Sequence, residues 1–106
     1  MKNPRNNLKI KPETILQRKS DLLFNQIDGE VVMLSIANNE YYGMDKIGSR
    51  IWKMLEQPVS FKNLIKMLCD EFNVSEQQCK KDTIEFLTKL SDKNLINTAG
   101  NVIEEI

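Results

Sequence analysis

Two short apolar runs, Leu22–Phe24 and Val31–Leu34, stand on either side of a polar turn, and from Ile47 to Leu90 apolar positions recur every three or four residues. Short runs bounded by turn residues suit strands, and the second spacing suits helices. Leu22, Leu23, Phe24 and Ile27 precede the dipeptide Asp28-Gly29, and Val31 to Ile36 follow it. Asp-Gly between two apolar runs predicts a hairpin, because the tightest turn needs positive φ at both central residues. Val32, Leu34 and Ile36 would share one face, and Val31, Met33 and Ser35 the other. Asn38-Asn39-Glu40 predicts a second turn, since Asn tolerates the left-handed region. Tyr41 to Met44 then forms a third strand, which lies at an edge if the strands pair in sequence order.

Three helices follow. Asp45 is a suitable N-cap for a helix carrying Ile47, Ile51, Trp52, Met54 and Leu55 on one stripe, and Pro58 ends it. Ser60 caps a second helix with Leu64, Ile65, Leu68 and Phe72 at helical spacing. Ser75-Glu76-Gln77-Gln78 is a capping box, flanked by Val74 and Cys79 in the places of a hydrophobic staple. That third helix should run to about Asn94, with Leu95-Ile96 locking onto the core. At about 100° per residue, it carries two neighbouring stripes. Cys79, Thr83, Phe86 and Leu90 form one, assigned to the core. Lys80, Ile84, Leu87 and Ser91 form the other, which suits either a partly exposed groove wall or a broad core face.

The expected fold class is α+β and winged-helix-like: a three-stranded antiparallel sheet followed by three helices. The expected organisation is a basic, mostly irregular arm over residues 1–20 with at most a short extended piece, one domain over 21–98, and a tail over 99–106. A chain of 106 residues suits one domain.

Composition adds an asymmetry. Fifteen basic and fifteen acidic residues cancel, which disfavours non-specific attraction to nucleic acid or anionic lipid. Yet residues 1–20 hold six bases against Glu13 alone, whereas residues 21–44 hold four acids and no base. No segment approaches the roughly twenty apolar residues of a membrane span. The N-terminus lacks a signal-peptide core, so a cytoplasmic protein is expected. Cys69 and Cys79 fall on helical patterns and read as small core residues in a reducing compartment.

Catalytic chemistry finds little support. The chain has no histidine, hence no imidazole base and no Ser-His or Cys-His pair. Its glycines at 29, 43, 48 and 100 form no phosphate-binding loop. Two thiols without a histidine make a poor zinc site. No catalytic residue, metal or cofactor is expected.

Four stretches, in order, carry a family resemblance: "VVMLSI", "YYGMDKIGSRIWKML", "LIKMLCDEFNVS" and "DTIEFLTKLSDKNLI". From Asp21 to Ile96 the chain resembles the PqqD-like proteins that bind leader peptides in ribosomal peptide pathways. The resemblance implies a non-catalytic adaptor that captures the leader of a precursor peptide and presents it to processing enzymes. Members of this size look most like the partners of a leader peptidase and a cyclase in lasso-peptide pathways. Others act as peptide chaperones for radical enzymes, including in pyrroloquinoline quinone synthesis. The implied mode is strand addition to the third strand, in a groove against the third helix. In lasso-type leaders, the family expectation is a tyrosine with a proline three residues later.

Carried onto this chain, the implied site is Tyr41, Tyr42, Gly43 and Met44 on the strand. Tyr42 and Met44 turn inward, Tyr41 stays at the outer edge, and Gly43 permits close approach. On the helix, Lys80, Ile84, Leu87 and Ser91 become the groove wall and rim. Asp82 also matches a family position, without an assigned role. Lys46 and Arg50 read as solvated charges that could also meet leader acids.

Other readings differ in partner. A DNA-binding winged helix would present a basic third helix, but Lys80, Lys81, Lys89 and Lys93 are matched by Glu76, Asp82, Glu85 and Asp92. A structural subunit of an enzyme would share every core feature. The open edge would also admit a second copy of the chain, giving a homodimer.

Overall fold

The computed structural model describes residues 9–20, 22–35 and 39–99. The arm before Lys9, Asp21, the Ile36 position, the Asn38 end of the second turn and the tail from Gly100 lie outside the described residues. In chain order the elements are β1 (Ile15–Arg18), β2 (Leu23–Ile27), β3 (Glu30–Ser35), β4 (Glu40–Gly43), α1 (Lys46–Met54), β5 (Val59–Ser60), α2 (Phe61–Glu71), α3 (Glu76–Asp92) and β6 (Ile96–Ala99). The fold is α+β, with two three-stranded antiparallel sheets ordered β2-β3-β4 and β5-β1-β6.

The β2-β3-β4 meander forms as its turn residues dictate. Asp28 and Gly29 have φ of 53° and 84°, and Asn39 has 56°. Met33 pairs with Phe24 on one side and Tyr42 on the other. Val31 and Met33 are fully buried, so their face of the sheet covers the core and the other face turns outward.

Each helix is started by a side chain. Asp45 accepts from Gly48 N at 2.7 Å, Ser60 from Asn63 N and Ser75 from Gln78 N, both at 3.1 Å. A lost cap of this kind typically costs about 1 kcal/mol. The C-terminus of α3 closes as a Schellman motif. Asn94 takes φ 63°, its N–H donates to Ser91 O, and Leu95 N–H donates to Leu90 O. Leu90 and Leu95 are both buried, which supplies the apolar contact that accompanies such a stop.

The second sheet recruits the arm. Ile15–Arg18 is its central strand, with Leu16 fully buried, and it runs against Val59–Ser60 and Ile96–Ala99. Backbone bonds extend this seam: Phe61 N to Thr14 O, Lys62 N to Pro12 O, Arg18 N to Leu55 O and Lys19 N to Leu95 O. The short extended piece expected in the arm is therefore a strand, anchored by the buried Leu16 and joined to both ends of the helical region. Arg18 also reaches the first sheet. Its guanidinium lies 4.8 Å from the Phe24 ring centre and 5.3 Å from that of Trp52, and donates to Trp52 O at 3.1 Å. The two rings meet edge-on, 5.9 Å apart.

One core joins these parts: Leu16, Val31, Met33, Ile51, Trp52, Leu55, Leu64, Leu68, Leu87 and Leu95 are fully or almost fully buried. Among the described residues, no helix is long and apolar enough to cross a membrane.

Candidate functional site

The site begins with the direction of the β4 backbone. Met44 N donates to Val31 O at 2.9 Å. In an antiparallel pair, hydrogen-bonded and non-bonded pairs alternate. The 33/42 and 35/40 pairs therefore exchange bonds, while Tyr41 and Gly43 aim their N–H and C=O away from β3. β4 is the end strand of its sheet. Two residues thus present a row of backbone donors and acceptors to an incoming strand.

A polar latch holds this edge at its root. Ser49, buried in α1, accepts from Val31 N at 2.7 Å and donates to Met44 O at 3.2 Å. It satisfies one group on β3 and one at the end of β4, so the sheet and α1 share a fixed junction. The only sequence signal for it was a serine on the inner stripe of α1, where an unpartnered hydroxyl would be costly.

Side chains divide by face. Tyr41 is three-quarters exposed on the outer face (75%). Tyr42 is half-buried on the inner face; its hydroxyl donates to Glu40 Oε1 at 2.6 Å, and Lys93 Nζ stands 4.3 Å above its ring. Met44 is buried. At Gly43, a Cβ would meet no atom within 4 Å, so open space lies over that residue on the Tyr41 side of the strand.

Lys93, the C-cap of α3, brings the end of that helix to Tyr42 of β4. At about 100° per residue, Asp82, Phe86 and Lys89 lie within roughly 40° of Lys93 around the helix axis. Phe86 is half-buried and lies against α1: a Cβ on Gly48 would stand 3.1 and 3.3 Å from two of its ring carbons. Glycine inside a helix costs about 1 kcal/mol relative to alanine, and here the close approach of the Phe86 ring explains it. Asp82 accepts from Gln78 Nε2 at 2.9 Å.

This arrangement corrects the expected wall. Leu87 is fully buried, so it belongs to the core, and Phe86 takes the half-exposed place instead. The two residues are adjacent and both apolar; Leu87 enters the core, while Phe86 packs half-buried beside Gly48 of α1. Ile84 is nine residues from Lys93, about half a turn away around the helix. It is exposed, and with Lys80 it lines a different groove, of about 690 Å³, between α2 and α3. That groove also takes Ile10, Phe61, Ile65 and Cys69. Lys80 pairs with Glu76 at 3.1 Å. Ser91 is half-buried, and its carbonyl serves the Schellman stop. Around the helix axis, the expected Lys80, Ile84, Leu87 and Ser91 lie on the far side from Lys93, whose own row is Asp82, Phe86 and Lys89. The period of α3 contained both rows, and period alone does not choose between them.

Arg50 pairs with Glu71 at 2.8 Å and ties α1 to α2. Cys69 and Cys79 are free thiols. Desolvation by burial, helped by the neighbouring Cys69, pushes the Cys79 thiol above its ordinary range, against the nucleophilic use of a thiolate. Among the described residues, no cluster of three His, Cys, Asp or Glu could hold a metal ion.

Two solved structures and one family model are similar to this chain. A solved structure of TbiB1 in complex with the TbiA(beta) leader peptide is similar at 31% identity and a TM-score of 0.69, covering 76% of this chain and 94% of that one. A lasso peptide synthetase B1 complexed with the leader peptide is 18% identical, with a TM-score of 0.67, covering 77% and 96%, and shares the fold. No curated protein sequence matches. A family model described as coenzyme PQQ synthesis protein D (PqqD) matches residues 30–96, from the first residue of β3 to the first of β6. With well over half of its length in that match, the chain belongs to the PqqD family.

Proposed function

We propose that this protein is a non-catalytic adaptor that binds the leader segment of a ribosomally made precursor peptide and presents it to processing enzymes. The leader adds as a strand beside β4. Its backbone pairs with Tyr41 and Gly43, and its inward side chains meet Tyr42 and the row Asp82, Phe86, Lys89 and Lys93. Met44 supports the strand from below. The observation that carries this reading is the free backbone row of an edge strand whose root is fixed by Ser49. Main-chain pairing supplies affinity in such strand additions, and side-chain pockets supply selectivity.

The pathway reading follows the similar structures, both complexes with leader peptides and one described as a lasso peptide synthetase component. The processing partners are then a leader peptidase and a cyclase. Nothing in the site proposes bond-making chemistry of its own.

A labelled leader peptide, followed by fluorescence anisotropy, tests the function. Binding should be micromolar or tighter, about −8 kcal/mol or more favourable. A leader that fails to bind at about 100 μM, near −5.5 kcal/mol, would remove the proposal.

A further inference from the structure

The two cysteines take no part in the β4 site, yet the fold brings them together. Cys69 lies in the last turn of α2 and Cys79 at the start of α3, and the two helices pack on one another across the turn from Phe72 to Ser75. Their thiols hydrogen-bond to one another, and Cys79 Sγ also lies 3.9 Å from Thr83 Oγ1. Cys79 is buried in the core, and Cys69 packs half-buried against that core. Cys69 also lines the groove of about 690 Å³ between α2 and α3, so a small molecule can reach its sulfur from that side.

Thiols in contact from neighbouring helices meet the first demand of a disulfide, which forms only where the two side chains already point at each other. The chain holds two cysteines, so an oxidised Cys69 has one thiol partner within the molecule. The surroundings favour the product. Burial pushes the Cys79 thiol up, which makes it a poor first nucleophile, but a disulfide carries no charge and suits the same apolar place. A bond there would also constrain the unfolded chain. In a reducing compartment such a bond is transient and redox-dependent rather than permanent.

We propose that Cys69 and Cys79 form a reversible two-electron oxidation site, which takes hydrogen peroxide as its oxidant and closes a disulfide that staples the end of α2 to the start of α3. The Cys69 sulfur gives up its proton and attacks one peroxide oxygen. The O–O bond breaks, and the leaving hydroxide takes up a proton to become water. Cys69 is then a sulfenic acid. The Cys79 sulfur loses its proton and attacks the Cys69 sulfur. The S–O bond breaks, and hydroxide leaves with that proton as a second water. Two thiols are oxidised to one disulfide, and one peroxide is reduced to two waters. A dithiol restores both thiols by exchange. The site stands whether or not a leader binds at β4.

The test treats the full chain, reduced and desalted, with equimolar hydrogen peroxide. Both free thiols should vanish together, and the intact mass should fall by two hydrogens on a monomer. A non-reducing peptide map should join the Cys69 and Cys79 peptides. The oxidised chain should have a higher urea midpoint than the reduced one, and dithiothreitol should reverse every change. In Cys69→Ser, at a half-buried position, the Cys79 thiol should survive the same treatment. A Cys69 sulfinic acid beside a free Cys79 thiol in the wild-type chain overturns the proposal. So does a disulfide between two copies on a non-reducing gel. An oxidised chain with a lower urea midpoint overturns it too, since the bond would then close only by distorting the helices.

Discussion

Each of the two sheets has three antiparallel strands, yet one is stitched into the body and the other keeps its edge open. In β5-β1-β6, the middle strand comes from the N-terminal arm and is tied by backbone bonds to Leu55, Phe61 and Leu95. Leu16 at its centre is fully buried. In β2-β3-β4, both outer strands are exposed, and Tyr41 and Gly43 turn their backbone groups outward. The middle strand of the first sheet is paired on both sides and supports the fold, while β4 of the second leaves backbone groups unpaired on its outer side. Arg18 links them, since the residue that ends β1 also stacks beside Phe24 of the open sheet.

Breaking the β5-β1-β6 sheet at its middle strand should have the largest effect on stability. Leu16→Ala removes a fully buried side chain and should cost about 2–5 kcal/mol, read as a lower urea midpoint. A loss below 1 kcal/mol, within the range of surface substitutions, would mean that β1 is dispensable. Ser49→Ala strikes the joint between the sheets and α1. Val31 N–H would lose its acceptor in a buried place, at about 1–3 kcal/mol, with faster amide exchange at Val31.

Binding should separate the two sides of α3. Phe86→Ala and Lys93→Gln each weaken leader affinity about tenfold or more, near 1.4 kcal/mol. Ile84→Glu and Lys80→Glu, on the α2–α3 groove, leave it within about twofold, under 0.5 kcal/mol. The reverse ranking would move the site to that groove. The smallest effect belongs to Arg50→Ala. Its pair with Glu71 is about two-fifths exposed on each side, so the stability change should stay under about 1 kcal/mol.

Local chemistry made much of this architecture legible. Asp28-Gly29, Asn39 and the caps Asp45, Ser60 and Ser75 act through neighbours within a few residues, and each does in the structure what its type prefers. β1 was less legible because its partners lie some forty and eighty residues away, at Val59–Ser60 and Ile96–Ala99, and four residues carry no period of their own. The end position of β4 in its sheet followed from pattern and strand order. The burial of Leu87 and the half-exposure of Phe86 did not, because period alone cannot choose between two adjacent apolar residues. Lys93 was counted only as a charge, and its place over Tyr42 depends on how α3 crosses the sheet.

The most direct test of strand addition is amide hydrogen exchange, followed by NMR with and without a saturating leader peptide. Tyr41 and Gly43 amides should exchange fast in the free protein and become protected in the complex, while the Met44 amide, already bonded to Val31, changes little. Unprotected Tyr41 and Gly43 amides at saturation, with shift changes centred instead on Ile84 and Lys80, would contradict it.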